Sequence, residues 1–292
     1  MVAVKAAPFA RHAPQSVDEA VDLLASTDDP TLLAGGQSMV PIMRFRLSTP
    51  ANVIDLNEVE GLDHLEEDGG QLRIGALVRH ADVQASDLIA DRYGSFADTA
   101  PVVADPQIRN RGTVVGSIAQ ADPKGDWGSV LLAHDGEVVT RGPDGERTIA
   151  ADDFFVLPYD TDLGADELIT EVRVPAASDR EGSAYHKLKR KVGDYAMVGV
   201  AARVVLDGDG AIEDAGVGMT SVDITNARSP GAEDVLEGAV PDADLLKRAG
   251  EAASEDANPE SDEHGDAAYK ENMTRVLTQR ALADALDRAG GS

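Results

Sequence analysis

Short apolar runs alternate with polar, helix-starting segments at the beginning of the chain. Ser16 and Glu19 have the spacing of a capping box, and apolar residues follow at helical spacing as far as Leu24, which predicts a short helix. Residues 31–34 and 51–56 are apolar and bounded by turn residues, the pattern of buried strands. Strands and helices that alternate within so few residues indicate a small parallel sheet.

Further along the chain, short strands separate helical patterns. The apolar spacing over residues 81–89 predicts one helix after His80. A Pro-Asp-Gly turn joins residues 137–140 to residues 147–149, which is the signature of a β-hairpin. Residues 168–175 alternate apolar and polar side chains and end in proline, so they predict a strand at a boundary.

A second unit begins near Ala177. Residues 198–206 and 211–222 predict two strands joined by an Asp-Gly-Asp-Gly turn. Residues 251–266 are polar and predict a loop, and a helix follows that Gly290 ends. The residues expected along one face of this last helix are Tyr269, Met273, Val276, Leu277 and Arg280.

These patterns predict two domains of α/β and α+β class. Residues 1–176 combine a small parallel βαβ unit with a mixed sheet, and residues 177–292 form a smaller α+β C-terminal domain. With 292 residues, 42% of them hydrophobic, the chain can bury a core in each.

The net charge of -27 changes the list of possible partners. A field of that sign repels nucleic acid and anionic membrane surfaces. The acidic residues are spread over the whole chain and lysine is scarce, which favours a salt-adapted cytoplasm over an ordinary acidic protein. No run of 18 apolar residues predicts a membrane span, and residues 1–12 lack the apolar core of a signal peptide.

The chain contains no cysteine and only six scattered histidines. Disulfides, thiolate metal sites and iron–sulfur ligation by this chain are therefore excluded, and no dedicated metal site is expected. Any redox metal in the working enzyme must be held by another polypeptide.

A glycine pair follows the first predicted buried strand, within residues 33–38. Without Cβ atoms, Gly35 and Gly36 let the backbone approach a ligand closely, and consecutive amides with the Ser38 hydroxyl can bind an anion. The alternative is an ordinary tight turn, because short glycine patterns match often by chance.

Residues 111–126 hold glycine, threonine and serine among apolar residues, so their backbone can also press on a flat cofactor or a phosphate. Asp122 and Asp126 follow, able to accept hydrogen bonds from sugar hydroxyls. Equally, Asp122 before proline is an ordinary turn residue and Asp126 a helix N-cap. Trp127 is expected in the core or an interface.

A basic segment, residues 187–196, holds three of the seven lysines of this acidic chain. Its positive charge can neutralise a pyrophosphate or stabilise a reduced flavin, and Tyr195 offers a flat face for stacking. A basic patch that docks a partner subunit is the alternative. Residues 216–218, Gly-Val-Gly, lack the third glycine of a dinucleotide fingerprint and indicate strand spacing.

Taken together and in order, these stretches resemble the medium flavoprotein subunit of carbon monoxide dehydrogenases and, more distantly, the FAD domain of xanthine dehydrogenases. The matching stretches are residues 34–38, 113–117, 121–123 with Asp126, 187–195, and 261–266 with Tyr269 and Lys270. The likeness covers nearly the whole chain. Two departures are Val115, where the family has glycine, and Gln37, where histidine is more common.

The resemblance implies noncovalently bound FAD, with its diphosphate on the two glycine-bearing turns. It also implies that Asp126 or Asp122 binds sugar hydroxyls, that Val103 and Ile169 pack on the cofactor, and that Lys187 and Tyr195 lie at the flavin ring. The cofactor-binding residues it implies are Ala34, Gly35, Gly36, Gln37, Ser38, Val103, Thr113, Val114, Gly116, Ser117, Asp122, Asp126, Ile169, Lys187 and Tyr195.

The same resemblance implies two partner subunits. A molybdopterin large subunit oxidises the substrate, an iron–sulfur small subunit relays electrons, and the flavin passes them to an external acceptor. This chain then carries no catalytic residue and no metal. A self-sufficient flavin oxidase and a non-catalytic scaffold or assembly protein with a vestigial flavin fold remain alternatives, whereas an NAD enzyme would need the three-glycine spacing that is missing.

Overall fold

The computed structural model describes residues 5–290, so the expectation about residues 1–12 lies partly outside the described residues. A small parallel sheet comes first in the chain. Its three strands pair in the order β1-β3-β2, and both pairings are parallel, as predicted. The first five elements are β1 (Ala10–His12), α1 (Val17–Ser26), β2 (Pro30–Leu33), α2 (Met39–Arg44) and β3 (Asn52–Asp55).

The predicted cap of α1 is confirmed. The hydroxyl oxygen of Ser16 accepts a hydrogen bond from the backbone N–H of Glu19 at 3.2 Å. Ala20, Val21 and Leu24 recur at helical spacing and are buried, so this face closes one side of the small sheet.

A five-stranded sheet forms the second layer, in the order β4-β5-β10-β6-β7. Every pairing in it is antiparallel, so the sheet predicted as mixed is antiparallel, while the α/β and α+β class is confirmed. The elements of this region are β4 (Leu65–Asp68), β5 (Gln71–Gly75), α3 (His80–Ala85), α4 (Asp87–Arg92), α5 (Gly94–Thr99), α6 (Pro106–Arg109), α7 (Val114–Gln120), α8 (Asp126–Ala133), β6 (Glu137–Gly142), β7 (Gly145–Ala150), α9 (Ala151–Phe154), β8 (Phe155–Leu157), β9 (Asp160–Thr161) and β10 (Leu168–Pro175).

The single helix predicted after His80 is wrong. Ser86 has an extended backbone that ends α3, and its hydroxyl accepts from the N–H of Ile89 to begin α4. Serine favours such a cap over a helix interior because its side chain competes for backbone groups. The hairpin of β6 and β7 is confirmed, with Gly142 opposite Gly145.

The C-terminal part is an antiparallel sheet, β11-β12-β13-β14, covered by helices. Its elements are β11 (Glu181–Leu188), β12 (Val198–Leu206), β13 (Ile212–Thr220), β14 (Ala227–Arg228), α10 (Pro230–Leu236), α11 (Ala243–Asp256) and α12 (Ala267–Gly290). The loop predicted from residue 251 begins only at residue 257, because α11 continues to Asp256.

The face predicted for α12 is only partly correct, because Leu277 is buried and Met273 packs half-buried against the core, whereas Tyr269 is 42% exposed. The buried side consists of Lys270, two threonines, two leucines and three alanines. Thr274 and Thr278 hide their hydroxyls by donating to the carbonyl oxygens of Lys270 and Thr274 at 2.9 and 2.8 Å. A face of this composition does not stand out in an apolar pattern.

Helix α8 joins the two parts, since it packs directly on β13. Gly216 and Gly218 face its backbone, and a Cβ atom on either glycine would overlap the carbonyl oxygen of Ala133 or Ser129. The Gly-Val-Gly sequence lies within β13, in agreement with its interpretation as strand spacing, and its two glycines allow α8 to approach closely. Trp127 on α8 is 1% exposed and lies in the core. Within residues 5–290, no helix has the combined length and apolar character needed to cross a bilayer.

Candidate functional site

A cavity of about 350 Å³ lies where the two glycine-bearing segments meet the C-terminal sheet. Thirteen of the residues singled out from the sequence line it, although they come from distant parts of the chain. They are Ala34, Gly35, Gly36, Gln37, Ser38, Val103, Thr113, Gly116, Ser117, Asp126, Ile169, Lys187 and Tyr195. Val114 and Asp122 do not line the cavity.

The two glycine-bearing segments, residues 34–38 (the first bend) and residues 111–117 (the second bend), are in direct contact. A Cβ atom on Gly35 would overlap the carbonyl oxygen of Arg111 and lie 2.7 Å from Cα of Gly112, so only glycine permits this approach. The Arg79 guanidinium donates to the carbonyl oxygen of Arg111 and to Oδ1 of Asn57, each at 2.6 Å. Because Asn57 donates in turn to the carbonyl oxygen of Ala34 at 2.9 Å, these contacts hold the bends together.

The first bend leads from β2 into α2. Gly36 has a φ of +74°, in the left-handed region that favours glycine. The Gln37 amide donates to the carbonyl oxygen of Gly35 at 3.1 Å. Across the described chain, the Ser38 hydroxyl makes no side-chain hydrogen bond, so it is available to a ligand in the cavity.

The second bend begins α7. Thr113 caps this helix, accepting from the N–H of Gly116 at 3.0 Å, and a Cβ atom on Gly116 would press on the Thr113 hydroxyl. Val115, where the family has glycine, also lines the cavity and is only 3% exposed. The Val114 side chain is fully buried in the core, and its N–H donates to the carbonyl oxygen of Val78 at 3.2 Å.

A buried ion pair forms the far wall. The Lys187 ammonium on β11 donates to Oδ2 of Asp126 at 2.8 Å, with side-chain exposures of 2% and 5%. The Tyr185 hydroxyl donates to the other carboxylate oxygen at 2.6 Å. Burial raises the pKa of Asp126 above its ordinary value, and the Lys187 ammonium and the Tyr185 hydroxyl oppose that rise.

This pairing changes the expectation for Asp126. Both its carboxylate oxygens already accept hydrogen bonds from protein groups, and it is the first residue of α8 rather than the N-cap, which is Gly125. The pair nonetheless places a fixed cation and a fixed anion side by side in the wall of the cavity.

The loop between β11 and β12 covers one end of the cavity. Gly193 turns the chain with a φ of +89°, and Tyr195 stands at the rim, 59% exposed. The carboxylate of Asp122 lies near both Tyr195 and Tyr159. Burial raises the pKa of the Tyr159 hydroxyl, and the negative charge of Asp122 raises it further. Asp122 therefore belongs to the surroundings of the rim, and its carboxylate also accepts from the N–H of Lys124 at 3.0 Å.

Apolar groups close the remaining sides. Val103 is half-buried after α5, and Ile169 on β10 is 5% exposed. Both line the cavity, as expected.

Several residues of the cavity escaped the sequence analysis. His80 lines it from the start of α3, and Ala104 and Ile108 line it from the segment before the second bend. Asn57 and Arg79 link the two bends, as described above. The one local signal was the Arg79-His80 pair, which begins four residues after the strand that ends at Gly75, since functional side chains often follow strands.

Comparisons with known proteins agree with this geometry. Residues 7–177 match the model of the FAD binding domain in molybdopterin dehydrogenase, and residues 183–285 match that of the CO dehydrogenase flavoprotein C-terminal domain. The chain belongs to this FAD-binding flavoprotein family. It is therefore an FAD-binding medium subunit of the carbon monoxide dehydrogenase-like molybdenum hydroxylases, an oxidoreductase subunit with FAD as its cofactor.

Relatives match over almost their full length. The chain is 40% identical to the nicotine 6-hydroxylase medium subunit of Paenarthrobacter nicotinovorans, covering 95% of this chain and 98% of the relative. It is 38% identical to the carbon monoxide dehydrogenase medium chain of Hydrogenophaga pseudoflava, covering 94% and 96%. The solved structure of that bacterium's carbon monoxide dehydrogenase lacking the Mo-pyranopterin moiety superposes with a TM-score of 0.93 at 38% identity, covering 97% and 99%.

Proposed function

We propose that this flavoprotein subunit receives electrons from the iron–sulfur centres of a small partner subunit and passes them to an external acceptor, while a molybdopterin large subunit oxidises the substrate. The relatives named as medium subunits and chains of dehydrogenase complexes support such partners. The absence of cysteine supports the division of labour, because this chain cannot itself ligate an iron–sulfur cluster.

The observation that carries the proposal is the meeting of the two bends in one cavity. Residues 34–38 and 113–117 would hold the diphosphate of FAD, because both segments line one cavity and their glycines let the backbone approach a ligand closely. Gly112 belongs to the same contact. Val114 would support this turn from the core without touching the cofactor.

The other assignments follow from position along the cavity. Val103 and Ile169 would pack on FAD, and Tyr195 at the rim would stack on the flavin ring. Lys187 would supply positive charge beside the ring, held in place by Asp126. Asp122 lies outside the cavity, whereas Asp126 lines it, so a sugar hydroxyl would donate to a lone pair of Asp126 that Lys187 and Tyr185 leave unused.

Bound FAD would supply a carrier that accepts two electrons and can release them one at a time. The protein's own contribution is to orient that carrier and to exclude water from it. The buried Asp126–Lys187 pair would form part of the wall that excludes water. It provides no general base, since the Asp126 carboxylate already accepts hydrogen bonds from two donors.

We also propose a domain boundary at residue 176. The last strand of the five-stranded sheet ends at Pro175 and the first strand of the C-terminal sheet begins at Glu181, which supports domains of residues 1–176 and 177–292. A salt-adapted setting for the complex is supported by the net charge of -27.

The binding test uses one steric substitution. Gly35→Ala should weaken FAD binding strongly, because its Cβ would force the two bends apart. Gly208→Ala is the matched control, since nothing lies within 4 Å of a Cβ there. Titrating each chain with FAD in molar salt and following flavin absorbance and fluorescence measures the effect. A wild-type chain with no affinity for FAD would overturn the proposal.

The electron-transfer test requires the assembled complex. Tyr195→Ala should slow reduction of the external acceptor while the partner subunits still copurify, whereas a scaffold or assembly protein would lose no turnover. Substrate oxidation by the flavoprotein alone would instead favour a self-sufficient oxidase. Rapid mixing of the reduced complex with acceptor, monitored at flavin wavelengths, distinguishes the three.

A further inference from the structure

His80 is a buried histidine in the wall of the cavity. It begins α3, its side chain is 4% exposed, and its backbone N–H donates to the carbonyl oxygen of Gly112 at 3.0 Å. Its ring lies nearly parallel to the indole of Trp127, with an interplanar angle of 13° and ring centroids 5.8 Å apart. The ring orientation is therefore fixed by packing as well as by the backbone.

Trp127 also fixes the tautomer of His80. The indole Nε1–H donates to Nδ1 of His80 at 3.0 Å. Because indole nitrogen is a donor only, Nδ1 must be the unprotonated nitrogen of the ring. Burial, with the guanidinium groups of Arg109 and Arg79 nearby, lowers the pKa of His80 to about 4. At neutral pH the ring is uncharged and its one proton is on Nε2.

The Nε2 atom lies against Gly112, where the two bends meet. A Cβ atom on Gly112 would lie 2.8 Å from Nε2, and Gly112 is itself in contact with Gly35. His80, Gly112 and Gly35 all line the cavity. Within the part of the chain that the structure describes, Nε2 has no hydrogen-bond partner, whereas Nδ1 has one. A donor with a fixed direction and no acceptor indicates a ligand atom.

We propose that His80 binds the cofactor by donating Nε2–H to an oxygen of the FAD diphosphate, and that Trp127 is a positioning residue that fixes the required tautomer. This rests on the proposed function. The diphosphate is the part of FAD that the two bends would hold, and His80 lies at their contact. A neutral imidazole adds a directed hydrogen bond there without adding charge.

Two substitutions at His80 separate the donor from the ring, and a third at Trp127 tests the tautomer. His80→Phe keeps a flat ring but removes the donor, so FAD should bind about 10-fold to 100-fold more weakly, the usual effect of losing a hydrogen bond to a charged group. His80→Gln restores an N–H near the position of Nε2, so it should recover most of the affinity. Trp127→Phe keeps an aromatic ring but removes the hydrogen bond to Nδ1, so either ring nitrogen of His80 can carry the proton. The affinity of this chain for FAD should therefore fall between those of the wild-type and His80→Phe chains.

The readouts are FAD titration of the full chain in molar salt and ¹⁵N NMR of histidine-labelled protein. The wild-type spectrum should show His80 protonated at Nε2 alone, with and without FAD, and Trp127→Phe should show a mixture of tautomers. A wild-type His80 protonated at Nδ1 would overturn the proposal. So would a His80→Phe chain that melts like wild type and binds FAD within twofold of it.

Failure of the wider function looks different. A wild-type chain that does not bind FAD would overturn the proposed function, and the role of His80 with it. A wild-type chain that binds FAD while His80→Phe binds equally well would overturn the role of His80 alone.

Discussion

The Asp126–Lys187 pair is the residue-scale feature on which the cavity most depends. Both side chains are almost wholly buried, where an isolated charge is strongly disfavoured, and each satisfies the other. Tyr185 completes the arrangement, and Gly199 on the next strand leaves room for its hydroxyl. Neither the pairing nor its burial is visible in the sequence, because 61 positions separate the two residues.

Lys187→Met should destabilise the chain by about 3–5 kcal/mol, because it leaves a buried carboxylate without its cation. Adding Asp126→Asn should restore much of the loss. Lys191→Met is the control, since Lys191 is 74% exposed and lies 3.8 Å from Asp194, and the change should alter stability by less than about 0.5 kcal/mol. Chemical unfolding in molar salt measures all four chains. Equal losses at Lys187 and Lys191 would contradict the expectation.

A second residue-scale prediction concerns His134. Burial, with Arg203 nearby, lowers its pKa to about 3, and its ring contacts Ser95 at 2.8 Å and Glu181 at 3.7 Å. In the unfolded chain this histidine takes up a proton near pH 6.5, whereas in the folded chain it stays neutral until about pH 3. Its contribution to the free energy of unfolding is therefore fully present above pH 6.5 and is lost as the pH falls. Wild type should lose about 2 kcal/mol more than His134→Asn between pH 7.5 and 5. Equal losses in urea unfolding would refute this.

At the scale of elements, the packing of helix α8 on strand β13 determines where the Asp126–Lys187 ion pair lies. Gly216 and Gly218 allow the strand to touch the helix backbone, and α8 begins with Asp126. The sequence predicted strands β12 and β13 and the position of the two glycines within a strand, but not their contact with α8. It also missed the break at Ser86 and the threonine-rich buried face of α12, because local hydrogen bonds, rather than apolar spacing, decided both.

Gly218→Ala should therefore destabilise the chain by about 1–3 kcal/mol or more, the usual effect of overpacking. Because the added methyl group pushes α8 away from the sheet, FAD affinity should fall as well. Calorimetry measures the loss of stability, and FAD titration measures the loss of affinity. Gly210 is unsuitable for a control substitution because its φ of +85° favours glycine. Gly208→Ala serves instead, and a loss there as large as at Gly218 would count against the packing explanation.

At the scale of the whole molecule, acidic residues exceed basic ones by 27 charges. Many of the basic side chains are already held in ion pairs, such as Arg228 with Asp135 and Glu233, so exposed acids repel one another. Screening shortens from about 10 Å at 0.1 M salt to about 3 Å at 1 M, which relieves this repulsion.

Raising KCl from 0.1 M to 2 M should therefore raise the melting temperature, by about 2–4 °C for each 1 kcal/mol of repulsion relieved. Replacing exposed acids such as Asp91, Glu213 and Glu255 by their amides should flatten this dependence. Scanning calorimetry in KCl, with sucrose as an uncharged comparison, measures it. A melting temperature independent of KCl would contradict the salt-adapted interpretation.

The sequence by itself determined the class of fold, the family and thirteen of the residues that line the cavity, because glycine pairs, caps and strand patterns are local properties. Only the tertiary structure decided that Gly35 touches Gly112, that Lys187 neutralises Asp126, and that Trp127 selects the tautomer of His80. These contacts join residues 47 to 77 positions apart, and their energies arise from burial and close approach, which exist only once the chain has folded.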